Sequence, residues 1–179
     1  MSGSQKFSGG CACGSVHYET TVDPVLMLNC HCRDCQQASG SAYAPLVVFP
    51  KGGVRLHGEL RYRSSVGGSG KAVERGFCPN CGSQIAMKLE SMPDVLCLQA
   101  GSLSDPSRFV PAMDVFTEGA QPWDHLPPGR KSFPKGFDAY RSTAGYLKPY
   151  RPCWASSSAM HSLVTSCSAI ESGYGPFET

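Results

Sequence analysis

Clustered cysteines constrain the fold of this chain more than any other feature. Seven of its ten cysteines fall into three tight groups. The groups are Cys11-x-Cys13, Cys30-x-Cys32-x-x-Cys35 and Cys78-x-x-Cys81. Two closed four-cysteine sites would need eight sulfurs. Seven sulfurs therefore predict one saturated tetrahedral zinc and a second zinc held by three sulfurs, whose fourth position is open to water or substrate, as in catalytic sites.

Length and charge point to one domain without a charged surface for nucleic acid or membranes. A chain of 179 residues with 41% apolar content can bury one core, and a second full domain is not expected. The net charge of +2 comes from 16 basic and 14 acidic residues without long Lys/Arg runs. This pattern disfavours nucleic acid and anionic membranes as partners.

The N-terminal sequence and the apolar runs favour a cytoplasmic protein. Residues 1–6 contain no apolar segment of the signal-peptide type, and no apolar run approaches the ~20 residues needed to span a bilayer. In the reducing cytoplasm, cysteines spaced this closely are more often metal ligands than structural disulfides. We therefore expect two zinc ions per chain.

Short alternating runs separated by Gly-rich or Pro-rich turns predict a mostly β protein. Few segments have helical periodicity. The predicted strands are residues 16–20, 24–29, 43–49, 54–57, 60–64, 72–77, 84–88 and 95–100. Val66–Gly70 has too many glycines for anything but a turn, and its small side chains would let a ligand or neighbouring backbone approach closely.

The first and last cysteine groups are predicted to share one metal. Cys11 and Cys13 are two apart, so on extended backbone their sulfurs lie on the same face. After Cys78, a proline restricts the backbone, and Gly82 permits the close turn of a zinc knuckle around Cys81. The two pairs together would close a four-sulfur structural site that spans a long loop.

The middle group places three thiols within six residues. An extended Cys30-x-Cys32 pair leading into a helical turn from Arg33 to Ala38, ended by Gly40, would bring Cys35 to the same ion. Two other interpretations stay open. His31 would close the site as a fourth ligand, although a residue between two same-face cysteines points away from them. Cys32 and Cys35 would alternatively form a redox pair, although no βαβ pattern surrounds them.

The motifs resemble a known family. They are Gly9-Gly10-Cys11-x-Cys13-Gly14, Cys30-His31-Cys32-x-x-Cys35-Gln36-x-x-Ser39-Gly40 and Phe77-Cys78-Pro79-x-Cys81-Gly82. In order and spacing they are similar to those of the glutathione-dependent formaldehyde-activating enzymes, a family that includes centromere-protein-V-like proteins. The resemblance covers residues 6–138, including the late Trp123-Asp124.

This resemblance implies a fold, a division of the ligands and an activity. The fold is a β-tent (Mss4-like) of two packed antiparallel sheets with zinc knuckles and short helical turns. Structural zinc is assigned to Cys11, Cys13, Cys78 and Cys81, and catalytic zinc to Cys30, Cys32 and Cys35. The activity implied is that of a carbon-sulfur lyase that forms or cleaves the adduct of formaldehyde with glutathione, the co-substrate.

Two other functions remain open at this point. One is a zinc enzyme acting on another specialised small molecule by addition, elimination or isomerisation at a carbonyl, because one fold hosts several activities. The other is a non-catalytic interaction module stapled by zinc. Metal content and turnover distinguish the three.

The remaining polar residues carry weaker signals. Three cations are candidates for glutathione carboxylates, although each is more simply a solvated surface residue: Arg33, Lys71 and Arg75. Histidines outside the cysteine groups are interpreted as surface or packed residues, except that His125 could hydrogen-bond near the metal; these are His17, His57 and His125. Cys97, within an apolar run, is interpreted as a core residue.

The sequence predicts a boundary between a zinc-binding domain, residues 1–138, and a C-terminal extension, residues 139–179. In the extension, apolar residues at Met160, Leu163, Val164, Cys167 and Ile170 recur at helical spacing. A helix this short needs a surface to pack against. That surface would be its own domain, the zinc cleft, or the same element in a homodimer.

Overall fold

A computed structural model of the protein describes residues 7–136. Within that range the chain forms eleven strands and one α-helix. The elements are β1 (Ser8–Gly10), β2 (His17–Thr20), β3 (Leu26–Cys30), α1 (Arg33–Ser39), β4 (Ala44–Pro50), β5 (Val54–His57), β6 (Arg61–Val66), β7 (Ala72–Phe77), β8 (Gln84–Leu89), β9 (Met92–Gln99), β10 (Met113–Val115) and β11 (Lys131–Phe133). Short 3₁₀ turns connect several of them.

The strands form two sheets, as predicted for a mostly β fold. A three-stranded antiparallel sheet has the order β1-β2-β5, and an eight-stranded sheet has the order β11-β10-β3-β4-β9-β8-β7-β6. One edge of the large sheet departs from the expected antiparallel pattern, because β10 pairs in parallel with both β3 and β11. The large sheet is therefore mixed.

Both faces of the large sheet are apolar. Consecutive side chains of a strand point to opposite faces, so Met27 and Val47 enter one cluster and their neighbours Leu28 and Val48 the other. The first cluster includes Tyr18 of the small sheet. Cysteines also divide between these two hydrophobic clusters, with Cys78 in the first and Cys30 and Cys35 in the second.

All eight predicted strands are present, with ends shifted by a few residues. The predicted helical turn is α1, and Gly40 ends it in the left-handed conformation, with φ of 67°. The sequence did not predict β1, β10 or β11, each three residues long. Val66–Gly70 connects β6 to β7, the hairpin turn expected there.

No helix in residues 7–136 has the length and hydropathy needed to cross a bilayer. The apolar helix predicted within residues 139–179 lies outside the described residues, as does the boundary at residue 138. Both stay predictions.

Candidate metal centres

Four thiols converge where the N-terminal turn meets the β7–β8 hairpin. The sulfurs of Cys11, Cys13, Cys78 and Cys81 all lie within 4.8 Å of one another. Two of the separations are 3.5 Å, between Cys11 and Cys13, and 3.8 Å, between Cys13 and Cys78. We call this group the four-thiol cluster. Cys78 is fully buried, whereas Cys13 and Cys81 are exposed.

The prediction of extended backbone at Cys11 and Cys13 is wrong, although their sulfurs do lie together. The backbone there is a turn and not an extended segment, because the Gly14 amide donates to the Cys11 carbonyl at 3.1 Å. The Val16 amide then donates to the Cys11 sulfur at 3.2 Å. A tight turn whose amides point at sulfur is the knuckle geometry that the sequence predicted only for Cys78 and Cys81.

Polar groups beside two thiols of the four-thiol cluster, those of Cys13 and Cys81, favour ionised sulfur. The hydroxyl and amide of Ser15 lower the pKa of Cys13 to about 5. Ser83 acts in the same way on Cys81, lowering its pKa to about 7. Thiolate is the form that binds a metal, so these serines prepare the cluster for a cation.

Three more thiols form a second cluster at the end of β3 and the start of α1. The sulfurs of Cys30, Cys32 and Cys35 lie within 4.8 Å of one another, with 3.6 Å between Cys30 and Cys32. We call this group the three-thiol cluster. Among the described residues, no fourth His, Cys, Asp or Glu joins it. Cys30 and Cys35 are buried and Cys32 is partly exposed, so Cys32 is the member that faces outward.

The charge of the three-thiol cluster is concentrated on Cys32. Hydrogen bonds from the neighbouring thiols lower the pKa of Cys32 to about 2, with Cys30 contributing most and Cys35 next. The positive charge of Arg75 acts in the same direction. The pKa of Cys30 is raised, because its hydrogen bonds to Cys32 and Cys35 and its burial favour the protonated form. A cation bound here would replace the protons that these sulfurs share.

Both clusters fit zinc. With Zn–S bonds of about 2.3 Å, the edge of a tetrahedron of sulfurs is about 3.8 Å. Three of the sulfur–sulfur separations, 3.5, 3.6 and 3.8 Å, lie close to that edge. An all-sulfur donor set also selects zinc over hard cations. Each cluster could therefore hold one zinc ion, which agrees with the two ions predicted from the sequence.

His31 points away from the sulfurs, as its place between two same-face cysteines predicted. It is buried, with Nε2 3.1 Å from Asp114 Oδ1 and Nδ1 3.0 Å from Asp124 Oδ2. The second contact is close in distance but is not directed as a hydrogen bond. Asp114 also accepts from Asn29 Nδ2 at 3.0 Å and lies 3.4 Å from Arg130. The sequence predicted none of these partners.

Two other segments border the three-thiol cluster. A Cβ added at Gly68, in the β6–β7 turn, would lie 3.4 Å from the Phe116 ring and 3.9 Å from Cys32 Cβ. This is the close approach that the glycines of that turn predicted. Phe116 has φ of 57°, a left-handed conformation that is uncommon for a bulky residue and is found where surrounding structure enforces it.

Of the three predicted cations, Arg75 alone is not fully exposed. It is half-buried and donates to Ser65 Oγ at 2.7 Å, whereas Arg33 and Lys71 are exposed. Arg33 lies 3.3 Å from the amide oxygen of Gln36, on its own helix.

The other predicted positions behave as follows. His125 is exposed, and it is its neighbour Asp124 that reaches the cysteine motif. His17 and His57 stack on each other on the small sheet, with ring centres 4.7 Å apart. Cys97 is buried in the core, as predicted, and burial raises its pKa to about 12.

One broad cleft of about 900 Å³ lies beside the four-thiol cluster. It is lined by residues of the first knuckle, the end of α1, the second knuckle and the turn after β9, and none of the three-thiol cysteines line it. Several of its hydroxyls bond within the protein, for example Ser102 Oγ, which donates to the Gln99 carbonyl at 2.7 Å. The cleft therefore adjoins the four-thiol cluster and not the outward-facing sulfur of Cys32.

The two clusters and their spacing match a known family. The family model described as "Glutathione-dependent formaldehyde-activating enzyme" matches residues 6–119. The chain belongs to this family. The match contains all seven clustered cysteines and ends before Asp124 and Arg130, so two partners in the His31 network come from beyond it.

Other comparisons add little to this family assignment. A crystal structure of a Rhodobacter sphaeroides protein from a structural genomics programme is similar, with 19% identity and a TM-score of 0.46. The similarity covers 70% of this chain and 98% of that one. No curated protein sequence matches significantly.

Proposed function

We propose that this member of the family is a zinc-dependent enzyme of the carbon-sulfur lyase type. Its substrates would be glutathione and formaldehyde, joined as S-hydroxymethylglutathione or released from it. The observation that carries the proposal is the three-thiol cluster, to which the described residues add no fourth ligand and in which Cys32 faces outward. Family membership supplies the reaction class.

The two clusters would have different tasks. The four-thiol cluster would hold a structural zinc, since four sulfurs saturate a tetrahedral ion. The three-thiol cluster would hold the catalytic zinc. Such an ion would stabilise the thiolate form of an incoming thiol at neutral pH, which is the chemistry it supplies. Three thiolates give the zinc site a net charge of about −1, so a nearby cation helps it to accept another anionic sulfur.

The reaction itself is a balanced addition. The glutathione sulfur forms a bond to the carbonyl carbon of formaldehyde, and the proton lost from the thiol ends on the carbonyl oxygen. No electrons are gained or lost overall, so no redox cofactor is needed. The reverse reaction breaks the same carbon-sulfur bond.

The residues around the three-thiol cluster suit this reaction. Arg75 places positive charge near Cys32, which favours anionic sulfur there. Phe116 and the β6–β7 turn at Gly68 cover one side of Cys32 and limit the space beside it. Formaldehyde is small enough to enter such a confined space. The peptide part of glutathione would extend along the exposed protein surface beside Cys32.

NMR exchange spectroscopy on mixtures of formaldehyde and glutathione tests the proposal. The wild-type protein should accelerate interconversion of free formaldehyde and the hydroxymethyl adduct over the uncatalysed rate. Cys32→Ser should lose the acceleration, whereas His57→Ala, an exposed change on the small sheet, should keep it. A wild-type protein that carries two zinc ions and leaves the rate unchanged would contradict the proposal.

A second candidate is a non-catalytic interaction module stapled by zinc. It is favoured by the position of the broad cleft, which lies against the four-thiol cluster and not the three-thiol cluster. The same assay decides between the two, because the module predicts two zinc ions and no turnover of any carbonyl compound. Turnover of a different carbonyl compound would instead favour a specialised small-molecule enzyme.

A further inference from the structure

The network around His31 joins the three-thiol cluster to a separate segment of the chain. We define the rim segment as Phe116–Asp124. Its backbone lies directly on the cysteine motif, because a Cβ added at Gly119 would lie 2.8 Å from the His31 carbonyl oxygen and 3.7 Å from Cys32 Cα. Any shift of the rim segment would therefore move the backbone that carries Cys32, or open a gap beside it.

A buried amide links the same two pieces of backbone. Gln36 Nε2, on α1, donates to the His31 carbonyl at 3.0 Å and to the Gly119 carbonyl at 2.8 Å. Gln36 is buried, and its loss would remove this donor from the His31 carbonyl, whereas the Gly119 carbonyl also accepts from Gln121 Nε2 at 3.1 Å. This bond fixes the middle of the rim segment to the start of α1.

His31 makes the second link, through its side chain. On one side, Asp114 belongs to β10 and is held by Asn29 and Arg130, so it is a fixed part of the large sheet. On the other side, Asp124 is the last residue of the rim segment, and its Oδ2 lies 3.0 Å from His31 Nδ1. His31 is thus held between a carboxylate of the sheet and a carboxylate of the rim.

We infer that His31 is a positioning residue and that Asp124 is the latch through which the rim segment fixes the geometry of the three-thiol cluster. His31 lies between Cys30 and Cys32, so a shift of its backbone changes the separation of their sulfurs, and the contacts of its ring hold that backbone in place. Asp124 and His31 together hold that span in place. This inference rests on the proposed function only in assigning a metal to the three-thiol cluster.

Asp124 is the residue to change, because Asp114 is buried with three partners, Asn29, His31 and Arg130, and its loss would disturb the fold. Asp124→Ala removes the latch, and Asp124→Asn keeps the shape and part of the polarity. Asp94→Ala is the matched control, since Asp94 is an exposed acid on β9 whose side chain has no hydrogen-bond or ion-pair partner within residues 7–136. All three are compared as full-length, zinc-loaded proteins.

Chelator competition measures how tightly each of the two zinc ions is held. Residues that support metal ligands typically contribute 10- to 100-fold to metal affinity. Asp124→Ala should release one zinc about 10-fold more readily and leave the other unchanged, with Asp124→Asn intermediate and Asp94→Ala like wild type. Cobalt substitution should show altered thiolate charge-transfer bands for one site only. In turnover, kcat should fall more than KM rises.

Three results would overturn the inference. Unchanged affinity of both ions in Asp124→Ala would show that the latch does nothing for the cluster. Equal weakening of both ions, together with a lower melting temperature, would show a general structural role. Wild-type protein with a single zinc would overturn this inference and the proposed function together. Two firmly held ions without formaldehyde turnover would remove the proposed function alone, and the affinity measurement would still decide the latch.

Discussion

The two thiol clusters use the same ligands but join the chain in different ways. The four-thiol cluster connects residues far apart in sequence, since Cys13 and Cys78 are separated by 65 positions. The three-thiol cluster draws its sulfurs from six consecutive residues, Cys30–Cys35. Closing the longer loop removes about 2 kcal/mol more chain entropy than closing the shorter one, by the logarithmic scaling of loop closure. A metal ion in the four-thiol cluster would therefore stabilise the fold more than one in the three-thiol cluster, in line with the proposed structural and catalytic roles.

The clusters also lie on opposite faces of the large sheet. Cys78 packs in the hydrophobic cluster that includes Tyr18 of the small sheet. Cys30 and Cys35 pack in the other hydrophobic cluster, which also contains Cys97 and Val115. A change at one cluster therefore need not disturb the other.

The largest effect is expected from Cys78→Ser. Cys78 is fully buried, and its loss opens the long loop and leaves a buried hydroxyl. Because binding of a structural zinc is coupled to folding, the variant should lose several kcal/mol of stability, to the point of unfolding near room temperature. Circular dichroism during heating checks this. Cys97→Ser, a buried cysteine outside both clusters, controls for the hydroxyl and should still melt cooperatively.

Cys32→Ser should give the opposite pattern. Turnover should fall by more than about 100-fold, because the proposed catalytic zinc would lose one of its three sulfur ligands. The melting temperature should fall by only a few degrees, since the loop that this cluster closes is short. Metal analysis should find one zinc retained. If Cys32→Ser unfolds as Cys78→Ser does, both clusters are structural and the comparison fails.

A smaller effect is expected from Gly68→Leu. The new side chain would enter the space between Phe116 and Cys32, where a Cβ already makes van der Waals contact. KM should rise about tenfold, equivalent to about 1.4 kcal/mol of binding, with little change in stability. Gly52→Leu is the matched control, because a Cβ at Gly52 meets nothing within 4 Å. Steady-state kinetics measures KM for both variants, and equal KM values for the two would contradict the prediction.

The smallest effect concerns alkaline pH and the small sheet. Burial raises the pKa of Tyr18 from 10.0 to about 12, with Ser102 acting in the opposite direction. The folded state therefore holds the phenol proton more tightly than the unfolded state. Stability from this group is complete below pH 10 and declines as pH rises towards 12, by roughly 1 kcal/mol at pH 11.

Urea unfolding at pH 9 and pH 11 measures this decline. Tyr18→Phe should reduce the difference between the two pH values, while His17→Ala, a change at the neighbouring exposed position, should not. An equal decline in wild type and Tyr18→Phe would assign the alkaline sensitivity to the thiol clusters instead.

Local features of the fold and of the clusters were predictable from sequence. Alternation identified eight strands, and the spacing of Cys30, Cys32 and Cys35 with Gly40 identified α1 and the three-thiol cluster. Strand β1 was missed because Ser8–Gly10 has no β-forming side chains and depends on pairing with β2. The turn at Cys11 was read as a strand because two-residue spacing suits either geometry.

The partners of His31 could not be predicted, because they depend on distant contacts. Asp114 lies 83 positions from His31 and is brought to it by the parallel pairing of β10 with β3. Asp114 stands in a short apolar run and Asp124 follows Trp123, but neither feature identifies His31 as the partner. The alternation of side chains along an extended segment did predict that His31 points away from the sulfurs. The structure shows that its ring points towards Asp114 and Asp124.

X-ray absorption spectroscopy at the zinc edge, combined with zinc content, tests the division of labour most directly. We predict two zinc ions per chain, a sulfur shell at about 2.3 Å, and a lighter-atom shell at about 2.0–2.2 Å that is lost from the zinc remaining in Cys32→Ser. Summed over the two ions, the ligands are seven sulfurs and one nitrogen or oxygen. A purely sulfur shell around both ions, or a single zinc per chain, would contradict the account.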